Sequence, residues 1–74
     1  MKSDIERILQ ETRPESDFSS SENFVADGLL DSFDIIVVVS EIEELHNISI
    51  DGNLIIPENF VSVGAILNLI ESCR

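Results

Sequence analysis

Basic residues are nearly missing from this chain. Four Lys and Arg stand against fifteen Asp and Glu, for a net charge of −11, and no Lys or Arg falls between Arg13 and Arg74. Nucleic acid and anionic membrane repel such a surface, so neither is expected as a partner, whereas basic protein surfaces are. Cysteine is down to one, Cys73. No internal disulfide is possible, and no partner spacing indicates a thiol nucleophile or a zinc site. A reducing, cytoplasmic setting fits. The opening stretch MKSDIERILQ lacks the apolar core of a signal peptide, and the longest aliphatic run, Ile35 to Val39, falls far short of a bilayer. A soluble, unexported protein without membrane insertion is therefore expected. Repeats, separable linkers and low-complexity tracts are absent.

At 74 residues the chain reads as a single domain, 1–74, expected to bury about 60% of its unfolded-chain surface and to be stable by roughly 4 to 11 kcal/mol. A deep catalytic cleft has no room in it. The size favours a module that enzymes act on over an enzyme.

What is present is helical patterning. Ser3 and Glu6 have capping-box spacing, and Ile5, Ile8 and Leu9 share one side of the helix they would start, with Thr12 at its edge. That predicts a first helix over about residues 4–13, ended by Pro14. The stretch PESDFSSSENFVADGLLD is rich in Ser, Asp and Glu but punctuated by Phe18, Phe24, Val25, Leu29 and Leu30. Those side chains would lose up to about 2 kcal/mol each if left in water, which predicts a long loop pinned to the core.

A second helix is predicted to start at Ser32, with Asp31 as N-cap and Asp34 as its reciprocal partner. Ile35, Val38, Val39, Ile42 and Leu45 fall on one helical face, while Phe33, Ile36, Val37, Ser40, Glu43 and Glu44 point elsewhere. The β-branched run Ile35 to Val39 favours a buried strand instead. The pattern continues too far for a strand, through Ile42 and Leu45 with acids between, and that length decides for helix. His46 is placed in the last turn, where a partly charged imidazole complements the helix dipole, and Asn47 is a left-handed exit. Ile48 and Ile50 return to the core. Asp51, Gly52 and Asn53 mark a turn, without the alternating ligands and distal Glu of a calcium loop, so no metal site is expected. Pro57 suits the start of a short helix, 57–60, with Ile56 and Phe60 packing on either side. Ser62 is the predicted cap of a last helix whose buried stripe is Val63, Ile66, Leu67 and Ile70. Gly64 in its first turn suggests the close approach of something bulky near Ser32. The expectation is an all-α fold, a small four-helix bundle of three main helices and one short one, with a long first loop.

The chemically interesting position is Ser32. Serine is common near helix caps, so a structural role is the plain reading. A helix N-terminus also offers free N–H groups and the positive end of the dipole, so a phosphate esterified to Ser32 would gain roughly 0.3 to 1 kcal/mol there. A hydrolase built on Ser32 and His46 fails on distance, since they sit roughly 20 Å apart along one helix at 1.5 Å per residue.

GLLDSFD, followed by an apolar helix that ends in EIEEL and later by PENFVSVGAILNLI, resembles the acyl and peptidyl carrier proteins over nearly the whole chain. The resemblance implies that Ser32 is the attachment point of 4'-phosphopantetheine, with Asp31 and Phe33 as the flanking motif residues; Leu or Met is commoner at the third position. It implies a carrier of acyl or aminoacyl thioesters, with no catalysis of its own. Its partners would be a phosphopantetheinyl transferase and basic-surfaced acyl- or aminoacyl-transferring enzymes, and a monomer is expected. Ile36 and Val37 with Phe33 would give apolar contacts to those partners, and Asp34, Glu43 and Glu44 would steer them. Fatty-acid carriers usually have an acid where Val37 stands, and tend to have their glycine one residue nearer the serine than Gly28. Both departures point to a specialised pathway over the common fatty-acid enzymes. The rival expectation is a small acidic interaction module with no prosthetic group.

Overall fold

The computed structural model describes residues 2–73. Three α-helices carry the fold: α1 (Lys2–Thr12), α2 (Ser32–His46) and α3 (Val63–Ser72). Short 3-10 turns occupy Phe18–Ser20, Gly52–Leu54 and Pro57–Phe60, and there is no strand among the described residues. The protein is a small all-α fold. α1 packs against both α2 and α3, and the Pro57–Phe60 turn bridges α2 and α3.

α2 is a helix despite its β-branched run, and burial shows why. A strand would send alternate residues to opposite faces. Here Ile35, Val38, Val39 and Ile42 are buried while Ile36 is 59% exposed, which is helical spacing. Both ends are closed by local chemistry. Asp31 and Asp34 form a complete capping box, and Asn47 leaves the helix in the left-handed region (φ 53°, ψ 47°), its N–H donating to the Glu43 carbonyl.

Leu45 departs from expectation: it is 45% exposed. At 3.6 residues per turn it falls roughly 70° from the centre of the buried stripe, so it lies in the groove between α1 and α2 beside Arg7, Ile8 and Glu11. α1 also starts earlier than its capping-box spacing predicts. It already includes Lys2 and Ser3, so Ser3 is a first-turn residue and not the N-cap.

The long first loop is pinned as its apolar residues predict. Phe24 and Leu30 are buried, Phe18, Val25 and Leu29 pack on the core, and the Phe18 and Phe24 rings meet edge-to-face at 5.0 Å. The Phe24 N–H donates to the Val61 carbonyl at 2.8 Å, which stitches this loop to the start of α3. Gly28, at φ 76°, turns the chain back so that the Leu29 and Leu30 N–H groups reach the Phe24 carbonyl.

Past α2, Pro57 opens a 3-10 turn over the predicted residues, and Phe60 is fully buried. Ile56 is 39% exposed, because it holds an extended conformation one residue before the turn and faces outward. α3 is capped as predicted: the Ser62 hydroxyl accepts the Ala65 N–H at 3.1 Å. Its buried stripe is rotated, with Ile66, Leu69 and Ile70 inside and Val63 and Leu67 only half-buried. A Cβ on Gly64 would meet nothing nearer than the Ser62 hydroxyl at 3.8 Å, so no neighbour within the chain requires glycine there.

The burial contrast between Phe60 and Ile56 sets a measurable difference. Phe60→Ala is expected to cost about 3 to 5 kcal/mol, a large share of the stability of a domain this small, and Ile56→Ala less than about 1 kcal/mol. Urea titration of both variants checks this; equal losses would contradict the packing described.

Candidate functional site

The first turn of α2 is built from two hydrogen bonds that cross. Asp31, in an extended conformation (φ −110°, ψ −177°), accepts the Asp34 N–H on its Oδ1 at 2.9 Å. Asp34 Oδ2 in return accepts the Asp31 N–H at 3.2 Å. The same Oδ2 accepts from Arg13 Nη1 at 2.5 Å, and Arg13 Nε donates to Glu15 at 2.8 Å. A chain of charge thus runs from the loop through the end of α1 into the turn that carries Ser32.

Ser32 is exposed, and no hydrogen bond engages its hydroxyl among the described residues. Neither neighbouring carboxylate bonds that hydroxyl: Asp31 accepts the Asp34 N–H, and Asp34 accepts the Asp31 N–H and the Arg13 guanidinium. The turn presents an acceptor hydroxyl and supplies no base.

Phe33 is 73% and Ile36 59% exposed, which places two large apolar side chains one helical turn apart beside Ser32. Val37 is half-buried. The acids divide differently from expectation. Asp34 is only 7% exposed, drawn inward by Arg13, and is not available to steer a partner. Glu43 is half-buried and accepts the Ile50 N–H at 2.8 Å, fastening the exit from α2 to the next segment. Of the three expected steering acids, Glu44 alone is exposed.

His46 lies in the last turn of α2, with Nε2 buried and without a hydrogen-bond partner among the described residues. It is at the opposite end of the helix from Ser32. Asp51 accepts the Asn53 N–H at 2.9 Å and serves as a turn cap. No cluster of His, Cys, Asp and Glu among the described residues has the make-up of a metal site. No helix of the described residues is long and apolar enough to cross a membrane.

No family model, curated protein or solved structure matches this chain.

Arg13 is the member of the site that sequence reading missed. Its signal was present but faint: it is the lone Lys or Arg between Arg7 and Arg74, standing before Pro14 at the end of α1. A cation so isolated in an acidic chain has a strong electrostatic reason to find a carboxylate.

The Asp34 N–H holds the Asp31 carboxyl below the usual carboxylate range, helped by the Phe33 N–H and by Arg13. A carboxyl that loses its proton more readily in the folded state adds stability above its unfolded pKa. That addition drains away as pH falls through the folded value. Asp31→Ala is accordingly expected to melt several degrees below wild type near neutral pH, with the gap narrowing as pH falls below about 4. Thermal melts across that range check it; a gap independent of pH would show that the charge of Asp31 does not hold the cap.

Proposed function

We propose that this chain is a carrier domain that bears 4'-phosphopantetheine on Ser32. The observation that carries the reading is an exposed serine hydroxyl, free of hydrogen bonds, in the first turn of a fully capped helix. The motif Asp31-Ser32-Phe33 and the exposed pair Phe33 and Ile36 beside it support the same reading. In this reading the three α-helices and the short Pro57–Phe60 turn stand as the four-helix arrangement of the carrier proteins.

The residues present fit the group. Ser32 would form the bond from its Oγ to phosphorus as the pyrophosphate P–O bond of coenzyme A breaks and 3',5'-adenosine diphosphate departs with the electron pair. The hydroxyl proton passes to a base on the transferase, since neither Asp31 nor Asp34 is hydrogen-bonded to the Ser32 hydroxyl. The resulting phosphodiester would sit at the positive end of α2. When bound, the group supplies a terminal thiol on a flexible arm that holds an acyl or aminoacyl unit as a thioester. Phe33 and Ile36 would give transferases and acyl-handling enzymes an apolar footing, while Glu44 draws basic partners toward it. The protein catalyses nothing itself, and acts as a cytoplasmic monomer in a specialised biosynthetic pathway.

The exposure of Phe33 and Ile36 equally favours a second reading, a small interaction module that binds a partner through this face and takes no prosthetic group.

The deciding experiment is intact mass after incubation with coenzyme A, Mg²⁺ and a broad-specificity phosphopantetheinyl transferase. The expected result is a gain of one phosphopantetheine by wild type and none by Ser32→Ala, with both folded. Absence of gain in wild type shown to be unmodified at the start would leave the interaction module standing. In the same assay with a basic-surfaced transferase, Glu44→Lys is expected to slow loading at low salt and to approach wild type near 1 M salt, where the Debye length falls to about 3 Å. A slowdown that salt leaves untouched would remove steering as its cause.

A further inference from the structure

We propose that Arg13 is a positioning residue for Ser32, acting through Asp34 from the far side of the first loop; the inference rests on the carrier reading above. Arg13 stands just past α1, where its own N–H still bonds the Leu9 carbonyl at 3.0 Å. Its side chain reaches across 21 residues of sequence to Asp34. Asp34 is nearly buried, and its Oδ2 is shared between Arg13 and the Asp31 N–H.

Two consequences follow for Ser32. The first is geometric: an ionised, buried carboxylate deprived of its cation turns toward water. Asp34 would then release the Asp31 N–H, opening half of the capping box one residue before Ser32. The second is electrostatic. Ser32 lies between Asp31 and Asp34, and an incoming phosphate meets both. Arg13 offsets one of those charges and leaves the helix N-terminus favourable to an anion.

A clamp that only stabilised the fold would predict otherwise. It would change the folded fraction and leave the behaviour of each folded molecule unchanged. Arg13→Gln, Arg13→Lys and the double variant Arg13→Gln/Asp34→Asn separate the two. Each is compared with wild type well below its melting temperature, by amide hydrogen exchange and by the initial rate of phosphopantetheine transfer. In Arg13→Gln the amides of Phe33, Asp34 and Ile35 are expected to exchange faster while those of Ile66 to Ile70 in α3 do not change. Its transfer rate is expected to fall about tenfold, the scale of a small misplacement at a reacting group. Arg13→Lys restores most of both, because it keeps the charge. The double variant recovers part, because Asn at 34 still accepts the Asp31 N–H without a buried charge to neutralise. The proposal is overturned if Arg13→Gln matches wild type in both readouts, or if exchange rises evenly through all three helices. Wild type that takes up no phosphopantetheine overturns the carrier reading, and exchange alone then upholds or overturns the hold of Arg13 on the turn.

Discussion

Asp34 is an ionisable side chain at 7% exposure in a chain with almost no cations. Taking a carboxylate that far out of water costs several kcal/mol unless it is paired and hydrogen-bonded. Arg13 and the Asp31 N–H meet that requirement together, which ties the end of α1 to the start of α2. With these two points joined, the loop between them has fixed ends. Phe24 and Leu30 then reach the core, and the Phe24 N–H reaches Val61 at the approach to α3. The hydrophobic core holds the helices together without direction. The Arg13–Asp34 pair adds direction, since it determines where the first turn of α2 sits relative to α1.

What the sequence made legible is what hydrogen bonds over three or four residues decide. The Asp31–Asp34 box, the left-handed Asn47, the Ser62 cap and the Pro57 turn all depend on side chains close to the backbone they satisfy. What it concealed is set by contacts across the chain. Leu45 and Leu69 exchange expected places because the exact rotation of a helix follows from what packs against it, and apolar periodicity tolerates tens of degrees of error. Glu43 looked like a surface acid until the chain after Asn47 folded back and offered it the Ile50 N–H. Asp34 read as both a cap and a partner contact. Only the cap was local, and the inward pull came from a residue on the other side of a long loop.

These inward acids change the character of the surface next to Ser32. With Asp34 and Glu43 turned to the protein's own backbone and cation, the face beside Ser32 is dominated by Phe33 and Ile36. Burial of a large apolar side chain is worth about 1.5 to 3 kcal/mol, in a domain whose whole stability is of the order of ten. α2 leaves Phe33 and Ile36 the most exposed of its apolar residues, with Leu45 less so, in a chain that buries fourteen apolar side chains nearly completely. That placement has no counterpart in the core packing. It suits the carrier reading proposed above, in which successive enzymes cover this face.

The same surface serves a carrier and a plain interaction module, so the argument between them narrows to the serine. The ordinary reason for serine at a helix start is capping. In α2 that role is filled: Asp31 accepts the Asp34 N–H and Asp34 returns to the Asp31 N–H, so the helix needs nothing from the Ser32 hydroxyl. α3 supplies the contrast within one molecule, because there the Ser62 hydroxyl does the capping and bonds the Ala65 N–H. At position 62 the serine oxygen is bonded to the backbone, and at position 32 it is exposed and unbonded. Of the serines at the starts of α2 and α3, the one whose hydroxyl the cap leaves unused stands beside the exposed apolar pair.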